Sequence, residues 1–155
     1  MATGVFDLLH PGHIHYLAEA KKLGDELVVV VARDSTAERF KHRPITSEAH
    51  RLEMVGALKP VDRALLGHEG NIYDILSEIR PDVIALGYDQ VHDEGRIAEE
   101  CRKRGLAHTK VVRLPQFVGD LDGTRKIVAK VAEYWTLQER LKEFEHGEEG
   151  RGRGG

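Results

Sequence analysis

The chain has 155 residues, of which 41% are hydrophobic and 32% are charged, and its formal net charge is −3 at pH 7. This length is sufficient for one α/β domain with a sizeable core, and the composition is typical of a globular protein rather than a disordered or membrane-spanning one. The small excess of acidic residues gives no electrostatic reason to expect nucleic acid as a partner, so none is expected.

The cysteine content and the N-terminal sequence bear on the compartment. Cys101 is the single cysteine, so an intramolecular disulfide is excluded, which fits a reducing cytoplasm. The first residues lack the basic start and the long apolar run of a signal peptide. The longest apolar run, residues 27–32, is far shorter than the roughly 18 residues of a membrane span. We therefore expect a cytoplasmic protein with no membrane partner.

Short apolar runs alternate with amphipathic stretches along the chain. Strands are predicted over residues 1–6, 27–32, 61–66, 83–86 and 110–114, and helices over residues 12–23, 47–58, 72–79, 94–104 and 124–144. Ser47 and Asn71 are the predicted caps of the second and third helices. Between the second strand and Ser47, the chain is predicted to form a polar, basic loop with at most a short helical turn.

This order of elements predicts an α/β fold with a doubly wound, parallel, five-stranded sheet of the Rossmann-like type. One domain is expected over residues 1–146, followed by a disordered Gly-, Glu- and Arg-rich tail over residues 147–155. Ligands of such folds bind at the carboxyl ends of the strands, near the point where the strand order reverses. The segments that follow the first, fourth and fifth strands are therefore the candidate site.

Two histidines lie at the junction between the predicted first strand and the predicted first helix. His10 and His13 are three positions apart, so both imidazoles can face one ligand if the first turn is helical. Pro11 suits a first helical turn, and Gly12 allows a backbone to approach closely. The free N–H groups and the dipole of a helix N-terminus favour a phosphate there. Two surface histidines are the alternative, and zinc is disfavoured because no cysteine or acidic cluster has ligand spacing.

Residues 4–13, Gly-Val-Phe-Asp-Leu-Leu-His-Pro-Gly-His, resemble the signature of the cytidylyltransferase-like nucleotidylyltransferases. The resemblance implies that fold and a reaction in which His10 and His13 bind a nucleoside triphosphate and stabilise charge on its α-phosphate. It also implies a nucleotide site in which Asp7 orients the ligand or serves only as a turn residue. The nucleotide-contacting residues implied are Val5, Phe6, Asp7, His10, Pro11, Gly12, His13, Gly87, Asp89 and Thr124.

Two cationic residues complete the catalytic set that the resemblance implies. Lys41 matches a lysine in a basic loop that closes over the β- and γ-phosphates, whereas the alternative is a solvated loop. Arg51 matches the arginine of a Glu-x-x-Arg helix and would clamp a phosphate. Its alternative is an ion pair on the helix surface with Glu48 or Glu53.

The later segments match the family less completely. Gly87 permits a tight turn after the fourth strand, and Asp89 matches a nucleotide-contacting aspartate, with an Asx turn as the alternative. Many relatives open the last helix with several serines or threonines, but in this chain only Thr124 matches. Helix-dipole considerations still favour a phosphate at that helix start.

Residues 31–34, 57–62 and 86–90 are similar to the archaeal FAD synthases. This resemblance implies ATP and FMN as substrates, FAD and pyrophosphate as products, and a divalent metal such as magnesium on the triphosphate. Because the phosphate of FMN is already anionic, no general base is required. A homodimer is expected because relatives are often dimers. The alternatives are a transferase for glycerol 3-phosphate or a sugar phosphate, and a nucleotide-binding module without catalysis.

Aromatic residues are candidates for stacking on a flavin or adenine ring. Tyr88, Phe117 and Tyr134 each offer a flat apolar face, although such residues more often belong to a core. Cys101 lies in a predicted helix and is expected to be structural rather than redox-active.

Overall fold

A computed structural model of the chain describes residues 1–40, 43–120 and 122–151, with the side chains of the last helix described up to Arg140. The strands are β1 (Ala2–Gly4), β2 (Val28–Val31), β3 (Arg63–Leu66), β4 (Val83–Leu86) and β5 (Lys110–Arg113). The helices are α1 (Pro11–Lys21), α2 (Asp34–Phe40), α3 (Glu48–Gly56), α4 (Ile75–Ile79), α5 (Glu94–Lys103) and α6 (Thr124–Arg151).

The five strands form one parallel sheet in the order β3-β2-β1-β4-β5. From the central strand β1 the chain winds outward to β3, then crosses back to β4 and continues to β5. The order therefore reverses between β1 and β4, which confirms the predicted doubly wound sheet and places the switch point beside β1.

Each face of the sheet carries its own apolar core. Val29 and Val31 of β2 belong to the cluster under α1 and α3, whereas Ile84 and Leu86 of β4 belong to the cluster under α4 and α5. All four residues of β2 are buried, as the continuous apolar run predicted for a strand covered on both faces. Cys101 is 1% exposed and packs in the second cluster, which confirms its structural place.

The predicted basic loop after β2 is wrong over residues 34–40, which form helix α2. Its first turn is capped from a distance: the backbone N–H of Asp34 donates to Oε2 of Glu48 at 2.8 Å. No local pattern reveals a cap supplied by another helix. By contrast, Ser47 caps α3 as predicted, because its hydroxyl accepts from the backbone N–H of His50.

Other element boundaries also differ from the prediction. β1 ends at Gly4, because Phe6 adopts a left-handed backbone with φ of 56°. α4 begins only at Ile75, because the Asn71 side chain accepts from the backbone N–H of Tyr73 and forms an Asx turn there instead of a cap. α6 continues through Arg151, past the predicted domain end at residue 146, and the disordered tail stays a prediction. Among the described residues, no helix has the length and hydropathy needed to cross a bilayer.

Candidate active site

His10 is the N-cap of α1, with extended backbone angles of −145° and 167°. Its Nδ1 accepts a hydrogen bond from the backbone N–H of His13 at 3.3 Å. A neutral imidazole has one donor and one acceptor nitrogen. Because Nδ1 is the acceptor, the proton of neutral His10 lies on Nε2, where it can donate to a ligand oxygen.

The imidazoles of His10 and His13 stack on each other. Their ring centroids are 3.7 Å apart and the planes are inclined by 22°. The Phe6 ring meets His13 edge-on, with centroids 5.2 Å apart. The two imidazoles thus lie together at the N-terminus of α1, and the apolar Phe6 ring packs against His13.

The position of Phe6 depends on the glycine before it. A Cβ at Gly4 would lie 2.7 Å from the Phe6 ring, so only glycine leaves room for that ring to fold back over β1. Phe6 is 2% exposed, and its left-handed backbone is a strained conformation of the kind that clusters at functional sites. The Phe6 side chain therefore packs against His13, and the nucleotide contact of Phe6 stays a prediction.

The segment that leads into α6 closes on the start of α1. A Cβ at Gly12 would lie 2.7 Å from the carbonyl oxygen of Asp122, so the close approach expected at Gly12 is made by the protein's own backbone. The Asp122 carboxylate is paired with Lys126 at 2.7 Å. Thr124, the predicted phosphate contact, is the first residue of α6 and half-buried.

The charges of two carboxylates act on His10. Burial lowers the pKa of His10 below its usual value, while the charges of Asp122 and Asp89 act in the opposite direction. The structure thus brings the predicted residue Asp89 to the same site as His10. Within the described ranges, no group of three or more His, Cys, Asp or Glu side chains is arranged to hold a metal. Asp89 and Asp122 are the carboxylates whose charges reach His10.

Asp7 fastens the segment before α3 to the segment after β1. Its carboxylate accepts from the backbone N–H groups of Ile45 and Thr46, each at 2.9 Å, and from the Thr46 hydroxyl at 2.9 Å. Burial opposes ionisation, but these hydrogen bonds and the charge of Arg51 outweigh it and lower the pKa of Asp7. Asp7 is therefore more than a turn residue, because it orients the segment that follows the predicted phosphate loop.

In the described part of the chain, Arg51 is the only charged or polar residue that is buried, and its exposure is 1%. Its guanidinium donates to the carbonyls of Val5 at 2.6 Å and Thr46 at 3.2 Å, and to Oδ1 of Asp34 at 2.6 Å. This geometry differs both from the predicted phosphate clamp and from an ion pair with Glu48 or Glu53. It favours a positioning role, in which Arg51 fixes the backbone of Val5, just after β1, and the backbone of Thr46, just before α3.

Arg113, at the end of β5, is a residue that the sequence analysis missed. Its guanidinium donates to the carbonyls of Gly87, Gln90 and His92 at 2.9, 3.0 and 2.9 Å, and it is paired with Glu94 at 2.8 Å. Arg113 therefore fixes the loop that carries Asp89. The available signal was its position at a strand's carboxyl end, where such side chains meet.

A cavity of about 520 Å³ opens on the sheet face opposite α1, between α2, α4 and α5. Gly4 and Val5 line it, and they shortly precede the segment that carries His10 and His13. Phe40 and Tyr73 are its aromatic walls among the described residues, and the Arg96 guanidinium lies 5.9 Å from the centre of the Tyr73 ring. The volume is within the roughly 300–1,000 Å³ of small-molecule sites.

The remaining predicted residues fall in different places. The cavity-lining residues do not include Tyr88, Phe117 or Tyr134. Tyr88 is 46% exposed and Tyr134 is 63% exposed, and Phe117 packs against His15 with ring centroids 5.0 Å apart. Lys41 lies outside the described residues. The sequence analysis overlooked Tyr73 because it did not count the segment after the third strand as part of the site.

Comparison with known proteins gives consistent matches. A family model described as cytidylyltransferase-like matches residues 1–142. The FAD synthase of Aciduliprofundum boonei is 62% identical over 134 residues, which cover 86% of this chain and 89% of that protein. The FAD synthase of Archaeoglobus profundus is 48% identical over 153 residues, covering 98% of this chain and 96% of that protein.

One solved structure is similar in both fold and sequence. The crystal structure of the lipopolysaccharide core biosynthesis protein from Thermoplasma volcanium GSS1 matches with a TM-score of 0.73 and 55% identity. The match covers 76% of this chain and 96% of that chain. The sheet and the segments around it are therefore shared with a protein seen by crystallography.

Proposed function

The chain belongs to the cytidylyltransferase-like family, and within it we propose that the chain acts as an FAD synthase, which transfers the AMP moiety of ATP to FMN and releases pyrophosphate. The observation that carries the proposal is the stacked pair of His10 and His13 at the mouth of α1. High identity to curated FAD synthases over most of the chain supports FMN as the acceptor.

In the proposed reaction, a phosphate oxygen of FMN forms a bond to the α-phosphorus of ATP. The bond from that phosphorus to the oxygen bridging the β-phosphate breaks, and pyrophosphate leaves with the electron pair. His10 donates from Nε2 to an α-phosphate oxygen, and His13 stabilises the same developing charge. The N-terminal dipole of α1 acts in the same direction.

The divalent cation belongs with the ATP, because phosphate oxygens are the ligands that magnesium prefers. Because the described residues contain no group of three or more His, Cys, Asp or Glu side chains arranged to hold a metal, the phosphate oxygens would supply most of the ligands of such a cation. When bound, the cation offsets the repulsion between the two anionic substrates. We also retain two finer expectations as proposals: a cytoplasmic compartment, which fits the lone Cys101, and a homodimer.

We place the isoalloxazine ring of FMN in the 520 Å³ cavity. Phe40 and Tyr73 offer flat apolar walls, and the cavity leads from there to Gly4 and Val5 at the start of the histidine segment. The arginines Arg33, Arg39 and Arg96 also line it, and each can attract the FMN phosphate. An acceptor without a flat ring would leave the aromatic walls unused.

The test is a product assay with purified protein, magnesium, ATP or CTP, and FMN, glycerol 3-phosphate or a sugar phosphate. Formation of FAD from ATP and FMN, with stoichiometric pyrophosphate, is expected. Tyr73→Ala should raise the KM for FMN at least severalfold and leave the KM for ATP unchanged, whereas Tyr134→Ala on α6 should change neither. Turnover of another acceptor without FAD formation would contradict the proposal.

A further inference from the structure

The two central strands of the sheet separate before their carboxyl ends. In the described chain, β1 and β4 are aligned at one position, Ala2 with Ala85, whereas β1 and β2 are aligned along the whole of β1. The Ala85 N–H donates to the Met1 carbonyl at 2.9 Å. Because the hydrogen bonds of a parallel ladder recur every two residues, the next one of this kind would join the Gly87 N–H to the Thr3 carbonyl.

A side-chain amide takes the place of that hydrogen bond. The Gly87 N–H donates to Oε1 of Gln90 at 3.1 Å, and Nε2 of Gln90 donates to the Thr3 carbonyl at 2.6 Å. An amide has both an acceptor and a donor, so both backbone groups keep a partner. Because the amide lies between them, β1 and the end of β4 stay connected at a wider spacing than a direct hydrogen bond allows.

The hydroxyl of Tyr16 supports the same region from the other face of the sheet. It donates to the Ala85 carbonyl at 2.9 Å and accepts from the Thr3 N–H at 3.3 Å. Tyr16 belongs to α1, whereas Gln90 lines the cavity on the opposite face. Burial raises the pKa of Tyr16, so the hydroxyl keeps its proton and remains a donor. Polar side chains from both faces therefore hold the two strands where they separate.

This separation lies between the two proposed substrate sites. The cavity opens on the sheet face opposite α1, whereas His10 and His13 lie at the start of α1. The phosphate of FMN must therefore reach the triphosphate across the carboxyl edge of the sheet, at the switch point beside β1. Thr3, Gly4 and Gln90 all line the cavity, so the bridged strand ends border the path that joins the two substrates.

We infer that Gln90 is a positioning residue, whose amide fixes the end of β1 against the loop after β4 and thereby aligns the two substrates. The inference rests on the proposed function for the identity of those substrates. The loop has a second anchor, because Arg113 donates to three of its carbonyls. The contribution of the Gln90 side chain is therefore the placement of β1, and β1 leads into the segment that carries His10 and His13.

Two variants separate the two halves of the amide bridge. Ionised Gln90→Glu keeps an acceptor for the Gly87 N–H but has no donor for the Thr3 carbonyl, whereas Gln90→Met removes both. Each should lower kcat for FAD formation roughly tenfold or more, because misplacement by about 1 Å can cost 10²-fold. The KM values for FMN and ATP should change less than about threefold, because Arg113 still holds the loop. Gln138→Met, at a partly buried glutamine on α6, is the matched control and should keep the wild-type kcat.

Hydrogen exchange at the Gly87 amide tests the bridge without any measurement of activity. This amide should be protected in the wild type and in Gln90→Glu, and it should exchange on the order of tenfold faster in Gln90→Met. Absence of FAD formation by the wild type would contradict the proposed function alone, and the exchange rates would still decide whether the bridge exists.

Four results would overturn the inference. Wild-type kcat in Gln90→Met is the first, and a loss of kcat confined to Gln90→Glu, which would indicate an effect of charge, is the second. A rise confined to the KM for FMN would show direct contact with the substrate instead of positioning. Equal exchange of the Gly87 amide in the wild type and in Gln90→Met would show that the amide bridge does not form.

Discussion

The carbonyl oxygen of Asp122 lies so close to Gly12 that a Cβ on Gly12 would meet it at 2.7 Å. This contact joins the start of α1 to the segment before α6, and the two segments carry different parts of the candidate site. Gly12 lies in the first turn of α1 and Asp122 lies two residues before α6 begins, so a side chain at Gly12 would push these two segments apart. The spacing of the histidine segment from α6 is therefore set by the missing side chain of Gly12.

Replacement of Gly12 by alanine should reduce both activity and stability. Alanine is better than glycine in a helix by roughly 1 kcal/mol, so a loss on Gly12→Ala must come from the contacts of its Cβ, which would lie 2.7 Å from the Asp122 carbonyl oxygen and 3.0 Å from Nδ1 of His10. Gly24→Ala is the control, because a Cβ there meets nothing within 4 Å, and it should be neutral or mildly stabilising. Thermal unfolding and FAD formation measure both effects, and an unchanged Gly12→Ala protein would refute the contact.

Replacement of Arg51 by methionine should destabilise the fold by about 2 kcal/mol, because Arg51 is buried, its partner Asp34 is 40% exposed, and the loss of a buried donor leaves its acceptors unpaired. The carbonyls of Val5 and Thr46 would lose their donor. Arg63→Met is the control, since Arg63 is exposed and its pair with Glu26 spans 3.6 Å. Urea unfolding of both variants provides the comparison. A loss of ATP binding at unchanged stability would favour the phosphate-clamp role instead.

Replacement of Arg113 by methionine should release the loop that carries Asp89, because three carbonyls lose their donor. We expect the KM for ATP to rise roughly tenfold, equivalent to about 1.4 kcal/mol, with a smaller change in kcat. Arg104→Met removes an arginine that binds Glu100 and Asp74 away from the site, and its KM for ATP should stay unchanged. Equal effects of both variants would show that Arg113 is only structural.

On the acid side of the pH–activity profile, the half-maximal point should lie below the ordinary imidazole pKa of about 6.5, because burial lowers the pKa of His10. Protonation would place a hydrogen on Nδ1 and break the bond from His13. The unfolded chain takes up this proton first as the pH falls, so stability decreases from about pH 6.5 downward until the folded pKa is passed.

The charge of Asp89 raises the pKa of His10, and its removal makes the pH prediction specific. Asp89→Asn should move the acid limb of the kcat/KM profile to lower pH. Asp82→Asn, at an exposed position paired with His108, should leave the profile in place. A shift to higher pH in Asp89→Asn would contradict the arrangement.

The sequence predicted those parts of the fold that depend on local patterns. The apolar run of β2 and the Ser47 cap are both readable from neighbouring residues. The α2 cap was not predictable, because its acceptor Glu48 comes from another helix. Likewise, a Glu-x-x-Arg pattern indicates a surface helix, whereas Arg51 reaches Val5, a partner distant in sequence.

The central claim is that the stacked imidazoles of His10 and His13 stabilise the α-phosphate during transfer to FMN. The direct measurement is kcat for FAD formation by His13→Ala and by His10→Asn, in which asparagine keeps an N-cap acceptor but removes the imidazole. Each variant should lose a factor on the order of 10² or more with its melting temperature nearly unchanged, while His108→Ala stays at the wild-type rate. Wild-type kcat in both site variants would contradict the account.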